Sequence, residues 1–397
     1  VFSIGLYVTI IGGILITLGS QILKLSNTLR PYILLFILYY ISLAVYNLIL
    51  QFVKGIEQVA VYSTAGVVNT FIFITSNIIF LLFCNLGVSG YLMAFVIGHT
   101  VAALYAFLKA GVYRYVIGYS KLQFDIFLKM LRYSIPMIPN SISWWISNSS
   151  DKYILTFFWG VSINGIYSVA YKIPSILTIA INIFISAWQI SAVENFGSKE
   201  SSEFYADIYD KYESLLFIGS AVLIGGVQIL ARYLFSNDFY AAWLYTPVLI
   251  CASMFNSLAA FYGSVYTSAK RTSMLFYSTL AGATVNIVLN ILMIPSMGAM
   301  GAAIATMISY IVVWGVRAIN SRHIFKFNIK IKRDIVAYAV LMVEVVLICL
   351  ERNPFYIVSL ISVLVICILC AAFIKDMMQL VFNTFGKSLH GIIRGDK

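Results

Sequence analysis

Charge is the scarcest property of this chain. Only 10% of its 397 residues are Asp, Glu, Lys or Arg, against 61% hydrophobic, and the mean hydropathy is +0.93. A water-soluble globular protein of ordinary composition is excluded. Histidine is almost missing, with three in all, and the five cysteines (Cys84, Cys251, Cys349, Cys367 and Cys370) lie in or beside apolar blocks. That placement argues against a secreted disulfide framework, and the Cys367/Cys370 CxxC has no second ligand pair for a zinc site. No metal and no cofactor is expected. HExxH and GxxxxGK[ST] are absent as well, and the gaps on the side poor in Lys and Arg are mostly too short to carry catalytic residues, so an enzyme is not expected.

What the chain does have is long apolar runs. A helix needs about 20 such residues to cross the hydrocarbon core. Twelve blocks of that kind run approximately over 2–22, 31–53, 61–83, 88–108, 133–158, 163–190, 215–235, 240–265, 273–294, 299–316, 335–350 and 354–374. Together with 28 Phe and 27 Tyr they predict an all-α polytopic membrane protein rather than a barrel of alternating strands.

Loops kept in the cytoplasm retain Lys and Arg, which gives a test independent of hydropathy. One set of alternate gaps holds 20 of the 26 basic residues, among them Lys54, Lys109, Arg114, Lys270, Arg317 and Arg333; the other holds only Lys24, Arg30, Arg232 and Arg352. Both ends of the chain are therefore expected on the cytoplasmic side, and the net charge of +11 reads as a topology signal, not as affinity for nucleic acid. Residues 194–213 carry six acids and two lysines around Phe204, Tyr205, Ile208 and Tyr212, the pattern of a helix lying on the cytoplasmic surface.

The chain also repeats itself. Tyr62-Ser-Thr, Asn69, Asn77 and Leu86-Gly-Val-Ser-Gly90 are echoed by Tyr277-Ser-Thr, Asn286, Asn290 and Met297-Gly-Ala-Met-Gly301, at offsets of 215 and 211. The copies are six blocks apart, an even number, so they run the same way through the membrane as a parallel repeat. Small glycine-rich turns would explain either pair alone; their matched contexts favour a duplicated bundle. The expected organisation is a first lobe of four helices (1–110), a basic connector (111–132), a six-helix second lobe (133–318), a basic loop (319–334) and a terminal helix pair with a tail (335–397). By the offset, the first lobe would begin about 80 residues before Val1, with two helices absent from this chain.

Leu131-Arg-Tyr-Ser-Ile-Pro-Met-Ile-Pro-Asn140, Ser143-Trp-Trp145, Asp151-Lys-Tyr-Ile-Leu155, Gly165-Ile-Tyr-Ser168, Ala170-Tyr-Lys-Ile-Pro174 and Ala187-Trp188 carry a resemblance. The chain resembles the polysaccharide, or O-antigen and capsule, flippases of the multidrug/oligosaccharidyl-lipid/polysaccharide (MOP) exporter superfamily, over essentially its whole length. The resemblance implies fourteen helices, as two six-helix lobes and a pair. It also implies movement of undecaprenyl-pyrophosphate-linked repeat units across the bacterial plasma membrane, with a polysaccharide polymerase and chain-length machinery as partners. A multidrug or cation exporter of the same superfamily and a lipid II flippase are the alternatives.

Read from the residues, Asn140, Ser143, Ser147 and Asp151 fall on one helical face, and so do Ser168, Lys172, Ser175, Thr178, Asn182, Ser186 and Gln189 on the next span. Two polar stripes are expected to line a hydrated cavity. Depth along antiparallel neighbours pairs Asp151 with Lys172, either as a structural salt bridge or as part of a substrate site. Lys152 has no such partner and reads as a cavity cation or as a side chain snorkelling to the interface. The expected substrate site is therefore Lys152, Lys172, Asp151, Asn140, Ser143, Ser147, Ser175 and Asn182. Two lysines against one aspartate favour an anionic substrate. Trp144, Trp145 and Trp188 read as packing or interfacial groups, with sugar stacking as the other use, and His99 as a packing hydrogen bonder. Glu344 lies mid-span in the terminal pair and reads as a proton-carrying or interfacial acid without a transport role.

Overall fold

The computed structural model describes Gly12 and residues 30–116, 124–194, 201–322, 330–350 and 355–379, so the expected span 2–22 lies, but for Gly12, outside the described residues. Every regular element among the described residues is a helix. Six are long and apolar enough to cross a membrane, or up to eight if each sharply bent pair is one span. The chain divides into two compact units, Val1–Phe124 and Asp125–Lys397.

In the first unit, α1 (Ile33–Gly55), α2 (Val59–Ile78, extended by a π-helical turn Ile79–Phe83) and α3 (Gly87–Lys109) form the packed core, with α3 against both others. Small residues make that approach possible: Ala94, Gly98, Ala102, Ala103 and Ala106 are buried along α3, and a methyl group at Gly98 would lie 2.9 Å from Asn69 Oδ1. His99 is buried there as a packing group, its Nδ1 3.5 Å from Ser42 Oγ and its ring stacked on Tyr46 at 5.3 Å.

The second unit holds α4 (Phe124–Ser134), α5 (Met137–Ala170), α6 (Lys172–Glu194), α7 (Ser201–Gly225), α8 (Val227–Leu234), α9 (Thr246–Ser268), α10 (Thr272–Ser321), α11 (Ile331–Cys349) and α12 (Phe355–Leu369). Two of these are hairpins. A straight helix puts residues 16 and 20 apart at about 24 and 30 Å. Yet Tyr167 and Asp151 of α5 are hydrogen-bonded at 2.9 Å, and Asn286 and Thr306 of α10 meet at 3.5 Å. The turns are at Gly160 (φ 82°) and Gly298 (φ 56°), backbone conformations that a Cβ disfavours.

The α10 turn repeats the one between α2 and α3. Gly87 and Gly298 both have left-handed φ, +52° and +56°, and the glycine three residues on is pressed against the end of the preceding helix in each case. A methyl at Gly90 would lie 2.9 Å from Phe80 Cβ, and one at Gly301 would lie 2.6 Å from the Met293 carbonyl oxygen. The echo in the sequence thus corresponds to one local design used twice.

The acidic segment differs from its expectation. Residues 201–213 are not a surface helix but the first turns of α7, whose Tyr205, Tyr209, Tyr212 and Leu216 are buried at helical steps. The reason is aromatic packing: Tyr212 stacks on Phe261, Trp188 stacks on the other flank of the cluster at 5.0 Å from Phe261, and Tyr209 contacts Tyr262. The acids Asp210 and Glu213 turn to Arg333 of α11, which also holds Asp334 at 2.8 Å. Past Gly225 the span is bent by 67° into α8.

Candidate functional site

Helical steps place Asn140, Ser143, Ser147 and Asp151 on one face of the first arm of α5 (137–159), and all four are buried. This arm lies along α10, and neighbouring polar groups of α5 bond across to it, whereas Ser143 donates to the Pro139 carbonyl of its own helix at 2.8 Å and Asn140 Oδ1 is buried without a hydrogen-bond partner among the described residues. Ser150 donates to Asn286 Oδ1 at 2.8 Å, Asn290 donates to the same oxygen at 3.0 Å, and Tyr310 donates to Asn148 Oδ1 at 2.6 Å. Asn and Ser on facing small-residue helices are the usual polar glue of membrane bundles.

Asp151 is fully buried, and its carboxylate accepts three hydrogen bonds: from Tyr167 Oη at 2.9 Å, Tyr171 Oη at 3.2 Å and the Lys152 backbone N–H at 2.8 Å. The expected partner Lys172 is not among them, and no Asp151–Lys172 ion pair occurs among the described residues. Depth was legible; direction was not. Tyr167 and Tyr171 are four apart and share a face, whereas Lys172 stands about 100° further round the helix and is exposed. Two phenols and a backbone N–H supply the hydrogen bonds of Asp151, with no lysine ammonium among the donors.

Lys152, next along the helix, keeps its ammonium within electrostatic reach of the Asp151 carboxylate. It is half-buried, its ammonium 5.6 Å from the Tyr171 ring centroid, in an open pocket of about 550 Å³ lined by Ser149, Tyr153, Thr156, Phe157 and Asn164 as well. Asn164 donates to Thr156 Oγ1 at 2.8 Å, and Thr156 donates to the Lys152 carbonyl at 2.7 Å, so the polar wall is tied to both arms of the hairpin. The pocket lining contains no acid. On α6, Lys172, Ser175 and Asn182 share an exposed face, and Ser175 donates to the Lys172 carbonyl at 2.6 Å. The expected residues therefore separate into a buried set on α5 and an accessible set of Lys152, Lys172, Ser175 and Asn182.

Two features escaped sequence reading. The tyrosine pair around Asp151 carried a signal, the i, i+4 spacing of Tyr167 and Tyr171, which reads equally as core. Arg317 carried a misleading one: counted with the basic loop, it is in fact wholly inside the unit. Its guanidinium donates to Ala259 O at 2.7 Å, Ser278 Oγ at 2.9 Å and Thr279 Oγ1 at 2.9 Å, and it lies 6.0 Å from the Trp144 ring centroid, with no acid beside it among the described residues. The aromatic assignments are simpler. Trp188 packs on Phe261 and donates to Ser264 at 2.7 Å, and Trp145 is exposed.

No protein-family profile matches this chain. An uncharacterized membrane protein of Methanocaldococcus jannaschii is 24% identical over 189 residues, which is 47% of this chain and 44% of that relative, so the match spans less than half of its length. Among solved structures, a mutant of the Vibrio cholerae MATE transporter VcmN matches with a TM-score of 0.68 at 14% identity, over 80% of this chain and 79% of that one. An outward-facing multidrug resistance MATE family transporter of the MOP superfamily matches at 0.65 and 16%, over 80% and 76%. The lipid II flippase MurJ in an inward closed conformation matches at 0.60 and 17%, over 95% of this chain and 82% of its own. At such identities the likeness is one of fold: the chain has the all-α polytopic architecture of the MATE and MurJ transporters.

Proposed function

We propose that this chain is the carrier of a secondary-type flippase that moves polyprenyl-pyrophosphate-linked oligosaccharides across the plasma membrane for surface polysaccharide assembly, by alternating access of its lobes. The observation that carries the reading is Lys152. It is a cation at an open polar pocket whose lining holds no acid; Asp151 behind it takes its hydrogen bonds from two phenols and a backbone amide, while staying within electrostatic reach of the ammonium. Lys172, Ser175 and Asn182 extend an accessible polar face on α6. A pyrophosphate headgroup carries at least two negative charges through a low-dielectric layer, and fixed ammonium groups replace part of its hydration. Hydroxyl and amide groups suit sugar, and the polyprenyl tail remains in lipid. Asn140, Ser143, Ser147 and Asp151 then act behind this surface, holding α5 rather than touching sugar. The fold shared with a lipid II flippase over 95% of the chain supports a lipid-linked cargo. A cation exporter is the second reading, and it would want an acid where the pocket has Lys152.

The test replaces Lys152 and Lys172 by Gln, singly and together, in the intact protein, and measures surface polysaccharide and membrane abundance. Loss of polysaccharide at normal abundance is expected for Lys152→Gln, and a larger loss for the pair. Full polysaccharide levels in the double variant would overturn the anion site, and export of cationic dyes by the protein would establish the second reading.

A further inference from the structure

The terminal helices hold a buried acid that the transport reading does not use. Glu344 of α11 is wholly inside the protein, and neither of its carboxyl oxygens has a hydrogen-bond partner among the described residues. Ser359 of α12 faces it, and Ser359 Oγ is likewise buried and unpartnered. The third wall is Gly225 of α7, where a methyl group would lie 3.1 Å from Ser359 Cβ and 3.5 Å from Glu344 Oε1. Thiols lie near it as well: Cys251 of α9 is within electrostatic reach of the carboxyl and of Cys349 on α11, while Gly225 of α7 and Ser359 of α12 lie against it. No Lys, Arg or His forms an ion pair with Glu344 among the described residues.

An acid in this setting has two ways to exist. As a carboxylate it would be an uncompensated buried charge, which proteins avoid. As the neutral acid it has one proton to donate, and Ser359 is at hand to receive it. A metal cation is poorly served, since one carboxyl and one hydroxyl fall well short of the six or so oxygens that hard cations gather. The location adds a consequence. Gly225 is the last residue of α7, and the span turns there by 67° into α8. The carboxyl thus sits against the break itself, where two successive glycines, Gly225 and Gly226, leave the backbone unencumbered.

We propose that Glu344 is a proton-binding site of this protein, carried as the neutral acid in the bent conformation, and that release of its proton loosens the α7–α8 break. Nothing in this depends on which substrate the lysines bind. The released proton passes to water, and the carboxylate left behind draws water or backbone N–H groups toward the break. Protonation of Glu344 closes the site again.

The test uses the intact wild-type protein in lipid vesicles and the carbodiimide dicyclohexylcarbodiimide, an apolar reagent that adds the O–H of a protonated carboxyl across its C=N bond. Peptide mass spectrometry is expected to find the adduct on Glu344 near pH 6, falling about tenfold for each pH unit above the titration midpoint. Hydrogen–deuterium exchange over residues 222–230 is expected to rise over the same interval in the wild type relative to Glu344→Gln at the same pH. No adduct on Glu344 at any pH, or an adduct independent of pH, would overturn the site. Protection by sodium at constant pH would replace the proton by a metal cation. Exchange that does not differ from Glu344→Gln would refute the link to the break. None of these readouts involves glycan transport, so failure here leaves the flippase reading standing, and the converse.

Discussion

Tyr167 and Tyr171 differ in what their hydroxyls do for Asp151, and the difference is measurable. A hydrogen bond to a buried charged group is worth about 1.5 to 3 kcal/mol. Tyr167 is fully buried with the shorter bond, so Tyr167→Phe is expected to lower stability by about that amount, and Tyr171→Phe, at 3.2 Å, by less. Thermal unfolding in detergent checks the order; equal midpoints would mean that the carboxylate does not depend on these phenols. Arg317 is the second case. Its three hydrogen-bond partners are neutral, and Ser278 and Thr279 also donate to the Leu275 carbonyl at 2.8 and 2.9 Å, so truncation leaves a cavity rather than stranded hydroxyls. Arg317→Ala should cost about 2 to 5 kcal/mol, from the cavity it opens in the packed seam. Arg317→Met combined with Ser278→Ala and Thr279→Val should recover much of it, because apolar groups of similar volume replace the whole polar set. No recovery would show that the guanidinium does more than fill and satisfy the seam.

At the scale of elements, three glycines in the two hairpin turns make a graded series. Gly160→Ala meets open space and costs only its backbone strain, about 1 to 3 kcal/mol, because φ 82° with ψ 174° is a region essentially confined to glycine. Gly298→Ala adds a contact of 3.3 Å with the Trp159 ring, whose Nε1 donates to Ile294 O at 2.8 Å next to Pro295. Gly301→Ala is expected to be worst, since its methyl would sit 2.6 Å from a backbone oxygen that cannot rotate away. The yield of monodisperse protein on size-exclusion chromatography should fall in that order. Tolerance of Gly301→Ala would remove the packing reason for the repeated glycine pair. Helix α7 offers a different lesson: its acids were read as solvent-facing, and Glu213 is instead buried against Arg333 and Tyr338.

For the whole molecule the open quantity is sidedness, which rests on the distribution of Lys and Arg. Removing Arg317 from the loop count leaves the asymmetry in place, 19 basic residues against four, from 20 less one. Cysteine introduced at Ser89 should react with an impermeant maleimide from outside, and cysteine at Ser120 only after permeabilisation. Reversed accessibility would turn the topology over and place the Lys152 pocket at the opposite depth for substrate entry.

The all-α membrane class and the repeated glycine turns were legible in the amino-acid order because each depends on local chemistry: long apolar runs suit a bilayer, and a left-handed turn selects glycine. The inventory of polar groups on α5 and α6 was legible for the same reason. Which of them meet was not. One residue along a helix is a rotation of about 100°, enough to give Asp151 to Tyr171 and leave Lys172 on the accessible face. Arg317 and Glu213 lie where hydropathy predicts exposure, and packing of α9, α10 and α11 around them supplies the partners that make burial stable. Composition places charge along the chain; only the packed bundle determines its direction and its company.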